Sequence, residues 1–129
     1  MIAGQAGDGV LFTGNVLAKI LKKEGWEVAT FRYFPSNIRG EPTQYTIRAS
    51  QKEVFGLGNE INVLLSFDCA SIIKYTKIVA QGGVVLCDGE ELSRLNPTLK
   101  KGKTFHKLPL RVLAKKHFKK DLFLSLIHI

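Results

Sequence analysis

A chain of 129 residues with 45% apolar side chains has room for one domain around one core, and this composition excludes intrinsic disorder. No run of 18 apolar residues occurs and no basic segment followed by an apolar run opens the chain, so no membrane span and no signal peptide are expected, and the expected location is cytoplasmic. The net charge of +8 invites a nucleic-acid partner, but nine of the nineteen Lys and Arg residues lie between Lys100 and Lys120 while the remainder is nearly balanced, so no nucleic acid is expected to bind.

Met1, Ile2 and Ala3 precede a glycine turn, Gly4-Gln5-Ala6-Gly7-Asp8-Gly9. Such a turn sits at the tip of a buried strand, which is here either short or begun upstream in a longer gene. Val10 to Glu24 has helical periodicity, with Thr13, Val16, Leu17, Ile20 and Leu21 on the expected buried face and Lys19, Lys22 and Lys23 opposite. Gly25 is placed to stop this helix, and Gly14 inside it points to close packing against a strand. Trp26 to Tyr33 reads as a strand and Phe34 to Gln44 as a long loop.

Tyr45 to Ser50 alternates as a half-buried strand, with Tyr45, Ile47 and Ala49 on one face; Gln51 and Lys52 are expected to turn it into a short partner strand at Glu53 to Phe55. Ile61 to Phe67 has the apolar content of a central parallel strand buried on both faces. Asp68 is placed to cap a helix over 69–81 that buries Ile72, Ile73, Thr76, Val79 and Ala80 and ends at Gly82-Gly83. Val84 to Cys87 is the next buried strand, closed by Asp88-Gly89; a polar connection through Pro97 follows, then a strand at Thr104 to Leu108. Pro109 suits a helix start. The 110–120 segment then carries an apolar stripe of Leu110, Leu113, Ala114, His117 and Phe118, with Arg111, Lys115, Lys116, Lys119 and Lys120 on the solvated side. The order of elements predicts an α/β fold: a Rossmann-like, three-layer αβα domain with a mostly parallel central sheet and a short β-hairpin-like insertion.

The glycine turn spells G-x-x-G-x-G, which is neither the dinucleotide fingerprint nor a P-loop, so two readings stand: phosphate binding at the helix N-terminus, or tight strand-to-helix packing alone. Asp8 reads as an acid favoured by the helix dipole. Arg39 beside Gly40 in the long loop is suited to fork a carboxylate or phosphate, to pin the loop to its own domain, or to bridge to another domain. Cys69 and Cys87 are too few for a zinc or iron–sulfur site within the chain and read as buried thiols. His106, His117 and His128 lack metal-ligand spacing, and no Ser/His/Asp or Cys/His constellation is present, so no catalytic and no metal-binding residue is expected.

Several motifs in order carry a resemblance: Ile2-Ala3-Gly4-Gln5-Ala6-Gly7-Asp8-Gly9-Val10, Gly14, Gly25, Pro35-Ser36-Asn37-Ile38-Arg39-Gly40, Ile47-Arg48-Ala49-Ser50, Val63-Leu64-Leu65-Ser66-Phe67-Asp68, Gly82-Gly83-Val84-Val85-Leu86-Cys87-Asp88 and Leu108-Pro109-Leu110. Over residues 2 to about 120 the chain resembles the gamma-type domain of 2-oxoacid:ferredoxin (acceptor) oxidoreductases, most of all the version fused at the front of an alpha subunit. Glu41 stands where that family carries a second glycine after Arg-Gly. The resemblance implies a part of an enzyme that oxidatively decarboxylates a 2-oxoacid to acyl-CoA, using thiamine diphosphate, Mg, iron–sulfur clusters and CoA. It implies as partners a thiamine-binding beta subunit, a ferredoxin-like subunit and ferredoxin. It assigns Gly4, Gly7, Gly9, Arg39 and Gly40 to a CoA or subunit contact, and none of the thiamine or cluster sites to this domain. The alternative reading is a stand-alone Rossmann-like nucleotide-binding module.

Leu124-Ser125-Leu126-Ile127-His128-Ile129 follows a helix pattern that has already run its course. Codons that encode it resemble a transposon end used in sequencing-library preparation. The expected division is therefore 1–123 as the domain, truncated at both ends, and 124–129 as a non-native tail, with an ordinary terminal strand as the other reading.

Overall fold

The computed structural model describes residues 1–5, 7–35 and 41–109. Its first strand, β1 (Ile2–Gly4), finds both neighbours far along the chain: Ile2 stands opposite Tyr45 of β3 (Thr43–Ser50) on one side and opposite Leu65 of β4 (Ile61–Ser66) on the other. Three residues suffice because both edges are paired; Met1 and Ala3 carbonyls accept the Leu65 and Phe67 N–H groups at 2.9 and 3.0 Å. With β2 (Glu27–Tyr33), β5 (Val79–Cys87) and β6 (Thr104–Lys107), the described strands form one sheet in the order β2-β3-β1-β4-β5-β6. Only β3 runs against the others, so the sheet is mostly parallel, as expected.

Helix α1 (Val10–Lys23) packs on β1, β2 and β3 and ends as the sequence suggests. Gly25 takes φ 94°, and the Gly25 and Trp26 N–H groups return to the Lys22 and Leu21 carbonyls at 3.1 and 3.0 Å, the double bond of a Schellman cap. Its buried face differs from the expected one. Val10, Gly14 and Ala18 are buried, whereas Val16, Leu17 and Ile20 are 40%, 40% and 51% exposed. Small side chains let the helix approach β3 closely, and the bulkier residues are left on its flank.

Helix α2 (Cys69–Tyr75) and the short α3 (Gly89–Ser93) lie on the opposite face, where Ala3, Leu64, Ile72, Val85, Cys87 and Leu92 form the larger core. A smaller core of Ile2, Val10, Tyr45 and Phe67 sits under α1. The three-layer α/β architecture is thus present in the described residues.

Four local expectations are corrected. The helix expected over 69–81 stops at Tyr75, leaves Ile73 46% exposed rather than buried, passes through a 3₁₀ turn at Thr76–Ile78, and Val79 and Ala80 already belong to β5. Gly82-Gly83 is therefore a strand irregularity rather than a helix end: the register jumps from Ile61↔Val79 to Val63↔Val84, Gly82 has φ 78°, and a Cβ on Gly83 would meet Val79 Cγ1 at 2.5 Å and the Ala80 carbonyl oxygen at 2.7 Å. The partner of the 45–50 strand is β2, paired from Glu27↔Ser50 to Tyr33↔Gln44, and Glu53 to Phe55 form no strand. The polar connection contains α3 and a 3₁₀ turn at Pro97–Lys100. β4 is not covered on both faces by described residues, since Val63 is 46% exposed. The helix expected over 110–120 and the terminal residues 124–129 lie outside the described residues.

Candidate functional site at the carboxyl edge of the sheet

The ends of β1, β2, β4, β5 and β6 all open on one edge, the place where open α/β sheets bind ligands. The glycine turn after β1 and the turn after β4 lie side by side there and are tied together. Gln5 Nε2 donates to Asp68 Oδ2 at 2.7 Å, while Asp68 Oδ1 accepts the Ser71 N–H at 3.1 Å and so caps α2, as expected for Asp68. The Ser66 hydroxyl donates to the Asp68 carbonyl at 2.8 Å.

Within the glycine turn the Gln5 N–H donates to Asp8 Oδ2 at 2.8 Å and the Asp8 N–H donates back to the Gln5 carbonyl at 3.0 Å. Asp8 thus closes the turn on itself, just ahead of the N-cap of α1. Gly4 is required by this closure, because a Cβ there would approach Asp8 Oδ2 to 2.9 Å and Val10 Cγ2 to 3.1 Å. Gly7 and Gly9 take φ 93° and 95°, a region costly to other L-residues. Gly9 is the N-cap of α1 and provides no side-chain bond to the first-turn N–H groups. The turn therefore combines a carboxylate-closed start with a helix end whose N-cap residue has no side chain to cap it. Among the predicted site residues, Gly4, Gly7 and Gly9 are brought together here; Arg39 and Gly40 lie outside the described residues.

The residues that flank the 36–40 segment belong to the same edge. Tyr33 ends β2, Thr43 pairs with Gly4, and the Tyr33 hydroxyl donates to Glu41 Oε2 at 3.0 Å. That hydrogen bond, with the nearby carboxylate charge, raises the Tyr33 phenol above its ordinary value. The two cysteines come from α2 and β5; Cys87 is buried as expected, whereas Cys69, in the first turn of α2, is only half-buried. Burial pushes both thiols up, and nearby carboxylates add to the effect. No cluster of three or more His, Cys, Asp or Glu side chains stands together among the described residues. None of their helices is long and apolar enough to cross a membrane.

The Gln5–Asp68 tie was missed by sequence reasoning, which saw Asp68 only as a cap. The two residues are 63 positions apart, and only the pairing of β1 with β4 brings them together.

The family described as pyruvate ferredoxin/flavodoxin oxidoreductase (POR) matches residues 1–129. The chain belongs to this family. A relative named 2-oxoacid:ferredoxin oxidoreductase 2, subunit alpha, from Aeropyrum pernix is 28% identical over 88 residues, which is 68% of this chain and 14% of the relative. The 2-oxoacid:ferredoxin oxidoreductase subunit alpha of Saccharolobus solfataricus is 28% identical over 75 residues, 58% of this chain and 12% of that one. The POR chain described here thus spans about a seventh of the first of these relatives.

Solved structures share the fold. A 2-oxoglutarate:ferredoxin oxidoreductase from Magnetococcus marinus, solved with 2-oxoglutarate, coenzyme A and succinyl-CoA, superposes with TM-score 0.82 at 23% identity, covering 98% of this chain and 22% of that one. The gamma subunit of a keto/oxoacid ferredoxin oxidoreductase from Geobacter sulfurreducens gives TM-score 0.76 at 17% identity, covering 97% and 69%.

Proposed function

We propose that this POR chain is a fragment of a subunit of a 2-oxoacid:acceptor oxidoreductase, an enzyme that oxidatively decarboxylates 2-oxoacids to acyl-CoA and hands the electrons to ferredoxin. The observation that carries this reading is the family match along residues 1–129. The fold shared with gamma subunits and the tied carboxyl edge support it. In this reading the domain serves assembly with a thiamine-binding subunit and a ferredoxin-like subunit, and its carboxyl edge forms part of the CoA-facing surface. The N-terminus of α1, whose N-cap Gly9 contributes no side-chain bond, is of the kind that receives a phosphate or carboxylate. Arg39 and Gly40 would supply the loop side of the same contact.

The whole enzyme's thiamine diphosphate, Mg and iron–sulfur clusters are proposed to sit in other parts of it. The donor set here does not fit a cluster: there are two cysteines where four thiolates are needed.

The test uses an intact homologous enzyme with Arg39→Ala and Glu41→Gly made side by side. The expected result is weaker subunit assembly or a raised KM for CoA, with thiamine diphosphate binding unchanged. Unchanged assembly and CoA dependence in both variants would sink the contact role of this edge. The isolated chain is expected to turn over no 2-oxoacid. Micromolar affinity of the isolated chain for a dinucleotide would favour the stand-alone nucleotide-binding module instead.

A further inference from the structure

β1 and β4 are parallel neighbours whose chains part at the carboxyl edge. From β1 the chain passes through α1 to β2, on the β3 side of the sheet; from β4 it passes through α2 to β5, on the other side. Crossovers of one handedness that travel in opposite directions place their helices on opposite faces, and α1 and α2 do lie over separate cores. The boundary between β1 and β4 is therefore the topological switch point of this sheet, where two departing helices leave a crevice between their starts.

One side chain bridges that crevice. Strand pairing runs to Ala3↔Ser66, and Gln5 and Asp68 each follow two positions later, so the parallel strands deliver them level with each other. Gln5 Nε2 donates to Asp68 Oδ2 at 2.7 Å across the gap, a hydrogen bond strengthened by the carboxylate charge. The Gln5 backbone is engaged as well: its N–H donates to Asp8 Oδ2 at 2.8 Å and its carbonyl accepts the Asp8 N–H at 3.0 Å. Gln5 is thus the joint between two acid-built turns. One leads into α1; the other caps α2, where Asp68 Oδ1 accepts the Ser71 N–H at 3.1 Å. Gly7 and Gly9, both at positive φ, give the first turn no side chains of their own with which to anchor it.

We infer that Gln5 is a positioning residue for the contact made at this edge: by bridging the switch point it holds the start of α1 at a fixed spacing from the start of α2. This rests on the reading of the carboxyl edge as a CoA-facing contact surface. A group that binds over the start of α1 then meets a turn already set in place, and loses no affinity to ordering it.

The experiment pairs amide exchange on the full chain with kinetics of an intact homologous enzyme that has glutamine and aspartate at the matching positions. Gln5→Leu keeps the bulk and removes the donor. It is expected to speed exchange at the Gln5 and Asp8 amides by about fivefold or more, while Ser71, still capped by Asp68, is unchanged. In the enzyme the same change is expected to raise KM for CoA about three- to tenfold, with kcat held within about twofold. Gln5→Glu sets two carboxylates face to face and is expected to be worse on both counts. Gln5→Glu with Asp68→Asn exchanges donor and acceptor; asparagine also caps a helix well, so this pair is expected to restore both readings. A glutamine that only fills space gains nothing from that exchange, so a double variant no better than Gln5→Glu alone overturns the inference. So does a fall in kcat at unchanged KM. If Arg39→Ala or Glu41→Gly moves KM for CoA in the same enzyme while Gln5→Leu does not, the positioning role alone fails. If none of the three moves it, and assembly is unchanged as well, the reading of the edge fails with it.

Discussion

Gly14 and Tyr45 occupy one shared space: a Cβ on the glycine would lie 2.3 Å from the tyrosine ring Cγ and 2.5 Å from both Cδ atoms. The tyrosine is 3% exposed, and its hydroxyl donates to Asn15 Oδ1 at 3.1 Å, so the ring is held from both ends. Alanine at position 14 gains about 1 kcal/mol of helix propensity. Overpacking against a fixed ring costs about 1–3 kcal/mol, and contacts this short belong at the upper end. Gly14→Ala is expected to destabilise the chain by about 1–2 kcal/mol net, read as a lower urea midpoint. Adding Tyr45→Leu to Gly14→Ala is expected to cost less than the two single changes summed. A higher midpoint for Gly14→Ala alone would show that the ring yields freely.

Asp68 separates two roles of one carboxylate. Asp68→Ala removes both the cap on Ser71 N–H and the acceptor for Gln5, whereas Asp68→Ser keeps a cap and loses only the tie. The alanine variant is expected to lose about 1–2 kcal/mol and the serine variant less than half of that. Equal losses would mean that the link between the two turns outweighs the cap.

The chain's α-amino group gives a pH prediction. The Met1 ammonium donates to the Val63 carbonyl at 2.8 Å, and burial lowers its pKa from 8.0 to about 6. The folded state therefore prefers the neutral amine. Between pH 6 and 8 the unfolded chain holds more protons, so this group makes stability rise with pH through that window and contributes no slope outside it. A chain extended by one residue ahead of Met1 carries a peptide N–H at this point. It is expected to show a smaller rise in urea midpoint from pH 6 to 8, and parallel profiles would refute the assignment.

The thiols are expected to be slow. Both Cys69 and Cys87 are raised by burial, so the thiolate fraction at neutral pH is small, and Cys87 is also inaccessible at 0% exposure. Ellman's reagent at pH 7.5 should modify Cys69 before Cys87 in the folded chain, and both at equal rates in urea. Rapid modification of Cys87 under native conditions would contradict this packing.

Much of the fold was legible because the decisive residues act locally. Gly25 stops α1, Asp68 caps α2, and the apolar runs of β4 and β5 read directly as strands. The buried face of α1 was not legible, because its apolar residues extend over most of the helix circumference and only the short distance to Tyr45 selects the Gly14–Ala18 stripe. Val79 and Ala80 continue the helical spacing of Ile72 and Thr76, so periodicity alone carried α2 too far; the pairing of Val79 with Ile61 decides for strand. At the candidate site the glycines announced a turn, but its closure by Asp8 and its tie to Asp68 depend on contacts that spacing does not encode.

The threading of β1 between β3 and β4 orders events in time. Residues 2–4 have no sheet partner until positions 43–45 and 65–66 are in place, while the β2–β3 hairpin and the β4–α2–β5 unit close through shorter loops. The amino-terminal strand is thus expected to enter last, filling a slot already framed by its neighbours. Ala3, 0% exposed at the centre of that slot, is then a place where damage acts on escape rather than on assembly. Ala3→Gly should quicken unfolding and leave the refolding limb of a chevron plot nearly unmoved, and a slowed refolding limb would instead place β1 among the first elements to form.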